Sequence, residues 1–245
     1  MKRYMIKFSY DGSNFSGYQI QPKKRTIQGE IEKALKKIEN KKVDITASGR
    51  TDAGVHALNQ VAHFDLETDI EPDNLKKALN SLIPEDIYIK EVDIVSNKFH
   101  ARYDIKAKEY VYIINLGEYN PLEIKYVYQY NKKLDLVSME RALKYLEGEN
   151  DFTSFTSLDK EEKDKDCKRF LSQTDIKRDG NKITLTFLGN GFLRYMIRNM
   201  VGTLIEIGEG KRKSEDIIDI LKQKDRTKAG KTANPEGLYL KNVYY

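Results

Sequence analysis

The sequence predicts an α+β protein made of two similar halves, each with helices packed on one face of a sheet. Three observations predict it. Strand-like alternation and helix-like spacing follow one another in two rounds. With 39% hydrophobic residues in 245, the chain can fill a core in one large domain or two ordinary ones. No linker rich in proline, glycine or serine separates the rounds, so the halves are expected to pack into one body, with a boundary near residues 96–106. The expected halves are residues 1–100 and 101–245.

In the first round, Tyr4, Ile6, Phe8 and Tyr10 alternate as a strand with one buried face, and Asp11-Gly12-Ser13 ends it as a turn. Ile27, Ile31, Leu35 and Ile38 recur at helical spacing behind Thr26, a good N-cap. A strand over 60–66 follows, then a helix opening near Pro72 with Leu75, Ala78, Leu79 and Leu82 on one face. Pro84 ends that helix, and a strand returns over 87–95. In the second round come a strand over 107–116, a helix over 135–146 stopped at Gly148, and strands near Thr174 and over 183–188. Helices over 193–207 and 214–222 and a closing strand over 238–244 complete it.

The formal charge of +5 is basic without being polycationic, and basic residues gather at 23–25, 211–213 and 222–231. If these converge they form a phosphate track, although lysine-rich surfaces give the same count. One cysteine, Cys167, excludes an internal disulfide and fits a reducing compartment, and it lies in a charged stretch, which argues against a nucleophile. Three histidines and one cysteine without ligand spacing predict no metal. The N-terminus runs straight into the first strand and no apolar span approaches twenty residues, so a soluble cytoplasmic protein is expected, with no membrane partner.

Chemistry concentrates in the run Ala47-Ser48-Gly49-Arg50-Thr51-Asp52-Ala53-Gly54-Val55-His56-Ala57. A carboxylate between glycines sits on a tight, exposed turn that a substrate can approach, which makes Asp52 the first catalytic candidate. Thr51 and Asp52 are equally suited to closing a turn. Farther on, Arg194 and Arg198 stand four positions apart in the helix expected over 193–207, as two turns of one face do. That pair also fits a solvated helix face.

Residues 49–57 resemble the signature of the tRNA pseudouridine synthase A family. Phe99-His100-Ala101-Arg102-Tyr103, Lys108-Glu109-Tyr110-Val111-Tyr112, the segments 148–155 and 192–202, and the closing 224–227 with 236–240 resemble its later segments in order. The resemblance implies the pseudouridine synthase fold, two ferredoxin- or RRM-like halves whose sheets join across a central catalytic cleft with the motif loop on its floor. It implies isomerisation of uridine to pseudouridine at positions 38, 39 and 40 of the tRNA anticodon stem-loop, without cofactor, by a homodimer. Asp52 is implied as the catalytic carboxylate, by covalent attack or by proton removal from the sugar, between which the residues do not choose. Burial alone would protonate it, so a guanidinium partner is required, and the resemblance points to Arg198.

Tyr110 is implied as the aromatic that stacks on the flipped base, with Leu238 against the other side of the uracil; a tyrosine packed in a sheet is the commoner fate. Arg50, two residues before Asp52, suits filling the flipped base's place or gripping its phosphate. Arg194 is assigned to phosphate or surface, His56 to the loop backbone or RNA, and His100 and Arg102 to the RNA backbone. His63 reads as a half-buried strand residue. Two other classes compete. An RNA-binding protein without turnover has no use for Asp52, Arg198 and Tyr110 together, and a nucleotide hydrolase would need the phosphate loop and magnesium carboxylates that this sequence lacks. The charged stretch 159–168 reads as a surface loop.

Overall fold

The computed structural model describes residues 1–157 and 166–245, so most of the charged stretch 159–168 lies outside the described residues. The elements in order are β1 (Lys2–Tyr10), α1 (Ile27–Glu39), β2 (Thr46–Ala47), β3 (His56–Leu66), α2 (Pro72–Leu82), β4 (Ile87–Val95), β5 (Ala107–Asn115), β6 (Tyr128–Gln129), α3 (Leu136–Lys144), β7 (Gly148–Asp151), β8 (Lys168–Asp179), β9 (Lys182–Gly189), α4 (Met196–Gly208), α5 (Asp216–Gln223) and β10 (Leu238–Tyr244). They divide into two compact units, residues 1–106 with 239–245, and residues 107–238. The last strand thus belongs with the first unit although 132 residues of the second intervene.

In the first unit β1 lies between β3 and β4, antiparallel to both, and β10 runs parallel to β3 through Tyr239 opposite His56 and Leu240 opposite Ala57. The alternation in β1 is what places it centrally: Tyr4, Ile6 and Phe8 are fully buried on one face, opposite Phe64, Ala62 and Gln60 of β3. Ile27, Ile31, Ala34 and Leu35 of α1 and Leu75 and Leu79 of α2 supply buried apolar side chains at helical spacing. Thr26 caps α1 as expected, its hydroxyl accepting from the Gly29 N–H at 3.3 Å.

On the other β1 face, Arg3 pairs bidentately with Asp65 and donates to the carbonyls of Asn97 and Phe99, fastening the segment 97–101 over β3. His63 is therefore buried, and its Nδ1 accepts from the Ala101 N–H at 3.1 Å. Burial pushes His63 down to about 4, helped by Arg3 and His100, with Asp65 and Asp104 opposing. The unfolded histidine takes up its proton near 6.5 and the folded one only near 4, so the unfolded state binds more protons in between. Stability is expected to be full above that window and to fall on acidification through it, by up to about 3 kcal/mol. Asp65, held below its usual range by Arg3, releases its own contribution at still lower pH. His63→Asn keeps an acceptor where Nδ1 stood, so its urea midpoint should vary less between pH 6.5 and 4 than that of the wild type. An equal slope in both proteins would refute this origin.

In the second unit β9 pairs antiparallel with β5 and β8, β7 adds to β8, and β6 lies parallel to β5. Packing of α3 on α4 and on β8 buries Met139, Ala142 and Leu143. Asp135 is the N-cap of α3 rather than its first helical residue, accepting from Val137 and Ser138.

Two expected elements are corrected. β3 begins at His56 rather than at residue 60, because the end of the motif is itself hydrogen-bonded into the sheet, with Ala57 opposite both Tyr10 and Leu240. The helix expected from residue 193 begins at Met196, because Tyr195 takes the left-handed conformation at φ 60° and Met196 N–H closes a turn on the Leu193 carbonyl. Arg194 thus lies outside α4, where its carbonyl accepts from the Thr156 hydroxyl at 3.0 Å. Arg194 and Arg198 do not form the one-face helical pair their spacing predicted.

Candidate active site

The motif loop is held by its backbone and its flanks. The Tyr10 and Thr51 hydroxyls share a buried hydrogen bond of 2.7 Å, and the Tyr18 N–H donates to the Thr51 carbonyl at 3.0 Å. Burial pushes the Tyr10 phenol up to about 12, so it serves here as a neutral hydroxyl. Gln60, fully buried in β3, accepts from Ser48 Oγ at 2.5 Å and from Val61 N–H at 3.1 Å and donates to the Gly49 carbonyl at 3.1 Å. His56 is buried, accepts the Gly12 N–H on Nδ1 at 3.1 Å and stacks on Tyr239 with centroids 4.7 Å apart. A Cβ on Gly12 would collide with the Val55 carbonyl oxygen, so glycine there lets the loop after β1 lie directly beneath the motif.

Asp52 therefore rides on a loop fixed from both ends, its carbonyl accepting from Val55 N–H at 3.2 Å while the residue stays half-buried. Arg50 is exposed and His56 is buried, so of the two only Arg50 offers a side chain to a large solute. Arg102 lies elsewhere in this unit, exposed on a turn whose Arg102 and Tyr103 N–H groups donate to His100 Nδ1.

In the second unit Tyr110 stands on β5 opposite Phe187, 7% exposed, and meets Phe192 edge-on at 5.1 Å. Arg198, half-buried on the first turn of α4, donates from Nε to the Ala233 carbonyl at 2.8 Å, and the Ala233 N–H returns to the Arg198 carbonyl at 3.0 Å. The segment 233–238 is tied to β5 as well, since Tyr112 OH donates to the Asn234 carbonyl at 2.7 Å and Ile113 N–H to the Gly237 carbonyl at 2.9 Å. One short segment thus links the Arg198 helix to the Tyr110 strand and ends at Leu238, itself buried. Arg194 is exposed.

Several basic residues expected along a phosphate track are engaged within the fold. Arg25 pairs bidentately with Asp86 at 2.7 and 2.8 Å and lies over the Phe15 ring, Lys211 pairs with Glu209 and Arg212 with Glu206, each at 2.6 Å. Arg226 donates to Asn199 Oδ1 and Thr232 Oγ1 and is held down by burial. Among the described residues no three His, Cys, Asp or Glu side chains are grouped to hold a metal ion, and no helix is long and apolar enough to cross a membrane.

The clamping residues escape a reading of local pattern. Gln60 passes for an ordinary strand residue, yet a fully buried amide directly before the buried run Val61-Ala62-His63-Phe64 needs polar partners. Gln60→Leu strips Ser48, Gly49 and Val61 of their shared partner and is expected to cost about 2 kcal/mol in urea unfolding. An unchanged midpoint would show that the loop does not depend on it.

A family model described as tRNA pseudouridine synthase matches residues 6–104 and 142–245. The chain is 46% identical over its whole length to tRNA pseudouridine synthase A of Geobacillus sp. (strain WCH70), covering 98% of that protein. It is 47% identical, again over its whole length and 97% of the relative, to tRNA pseudouridine synthase A of Oceanobacillus iheyensis. The crystal structure of a Cbf5-Nop10-Gar1 complex overlaps 82% of this chain and 54% of its own at TM-score 0.34 and 14% identity, too slight a likeness to bear on the argument. With the family model spanning both units and relatives this similar end to end, the chain belongs to the tRNA pseudouridine synthase family.

Proposed function

We propose that this protein isomerises uridine to pseudouridine in tRNA, at positions 38, 39 and 40 of the anticodon stem-loop, with Asp52 as the catalytic carboxylate. The observation that carries the reading is the presentation of Asp52 on a motif loop tied down through backbone by Tyr18 and Gln60 and through side chains by Tyr10 and His56. The reaction breaks the N1–C1′ bond, turns the uracil, forms a C5–C1′ bond and releases the C5 proton while N1 takes one up. Product and substrate are isomers, so no oxidant or reductant is needed, and one ionised carboxylate suffices, as nucleophile or as base.

Arg198 is its counter-ion in this reading. With Nε bonded to the Ala233 carbonyl, the guanidinium is oriented by the segment before β10, and the edge formed by Nη1 and Nη2 matches a carboxylate. Such pairing keeps Asp52 charged when a bound base excludes water. Tyr110, fixed by Phe192, stacks on the flipped uracil, and Leu238 covers its other side. Arg50 fills the vacated stack or meets its phosphate, and Arg102 and Arg194 hold the RNA backbone. The protein acts in the cytoplasm as a homodimer with one tRNA contacting both subunits.

Tritium release from tRNA transcripts labelled at uridine C5 tests the reading, with filter binding measured alongside. Release confined to the anticodon arm supports it. Binding without release would instead establish an RNA-binding protein without turnover, and release from other uridines would move the target positions.

A further inference from the structure

We infer that Tyr195 is a positioning residue, which holds the Arg198 guanidinium in register through the face of its ring; the inference rests on the reading of Arg198 as the carboxylate's counter-ion. Among the described residues five non-glycine residues have φ above zero, and Tyr195 is the one aromatic. Asparagine and glycine enter that region readily, whereas a bulky side chain is strained there and persists only where its surroundings impose it. Nothing in helix capping needs a tyrosine at this position, since its side chain makes no cap hydrogen bond. Its backbone carbonyl starts α4 by accepting from Asn199 N–H at 2.9 Å, which any residue would do.

What the side chain does is meet two guanidiniums. The Arg198 Cζ lies 5.3 Å from the ring centroid and the Arg194 Cζ 5.0 Å. Both distances are within cation–π range. Arg194 Nη2 also reaches the phenol oxygen, at 3.5 Å. Arg198 is thereby constrained twice, by the ring and by the bond from Nε to the Ala233 carbonyl. A planar fork so held is oriented before any substrate binds, and pre-aimed charge costs no reorganisation during the reaction. The left-handed turn at Tyr195 is thus expected to serve the arginine rather than the helix.

Steady-state kinetics on tRNA of Tyr195→Gly, Tyr195→Phe and Arg198→Lys test this. Glycine accepts the required φ without strain, so the fold is retained while the ring is lost. We expect Tyr195→Gly to lower kcat by about tenfold with KM for tRNA little changed, and to move the acid limb of the kcat/KM profile to higher pH as the carboxylate loses support. Tyr195→Phe, which keeps the ring, is expected to restore both. Wild-type kcat and acid limb in Tyr195→Gly, with Arg198→Lys impaired, would overturn the inference alone. Tyr195→Phe as poor as Tyr195→Gly would overturn it too, by assigning the effect to the hydroxyl. Arg198→Lys with wild-type kcat would remove the reading beneath it, and the inference with it.

Discussion

Asp52→Asn is expected to lower pseudouridine formation by at least ~10³-fold while leaving tRNA affinity within a few-fold of the wild type. The amide has the size of the carboxylate but is neither a nucleophile nor a base for this reaction. The loop should survive the change, because Tyr10, Tyr18, Ser48, Gln60 and His56 tie it down on both sides of Asp52. Affinity should survive because RNA binding draws mainly on phosphate contacts, to which a carboxylate contributes repulsion. Single-turnover release of C5 tritium, with binding measured on the same preparations, decides the matter. Residual turnover within tenfold of the wild type would take Asp52 out of the chemistry, and lost binding would make it a structural residue of the loop.

Gly202→Ala is expected to be the most damaging substitution of a single methyl group. Gly202 lies in α4, one turn beyond Arg198, and a Cβ there would collide with the Lys231 carbonyl oxygen, with the carbonyl carbon 2.8 Å away. Backbone, not a flexible side-chain end, would have to move. The segment it would displace leads into the reciprocal bonds between Arg198 and Ala233 and the bond from Gly230 N–H to Thr203 Oγ1 at 2.8 Å. A loss of about 3 kcal/mol follows from overpacking a buried contact of this kind. Because Arg198 loses its Nε anchor, kcat should fall further than the folded fraction explains. Urea unfolding and kcat measured on the same protein separate the two effects, and a variant as stable as the wild type would show that the segment has room to shift.

The parts of the fold legible in the sequence are those whose signal is local. Thr26 followed by Ile27, Ile31 and Leu35 specifies a capped amphipathic helix wherever it packs, and Tyr4, Ile6 and Phe8 specify a half-buried strand. The motif around Asp52 stood out in the sequence because glycines, arginine and carboxylate are contiguous. The start of α4 was not, since a left-handed tyrosine carries none of the marks of a glycine or asparagine turn, and its ring contacts with two arginines are three-dimensional. The clamp under the motif was hidden for a related reason: Gly12 and His56, or Tyr10 and Thr51, are 44 and 41 residues apart. The basic runs misled in the opposite direction, because counting charge does not reveal that Arg25 and Arg212 already have carboxylate partners.

The position of β10 bears on how the chain is made. Residues 239–245 complete the first unit: Asn59 Nδ2 donates to the Lys241 carbonyl at 2.9 Å, Lys106 N–H to the Tyr244 carbonyl at 2.9 Å, and Tyr245 OH to the Ala101 carbonyl at 2.6 Å. A ribosome delivers these residues after the whole second unit. The nascent first unit must therefore wait with the His56–Ala57 end of one β3 flank unpaired, and β10 can dock there only after the second unit has been synthesised. The His56 end of the motif lies on that same flank, so the loop that presents Asp52 gains the support of Tyr239 only once the whole second unit has been made.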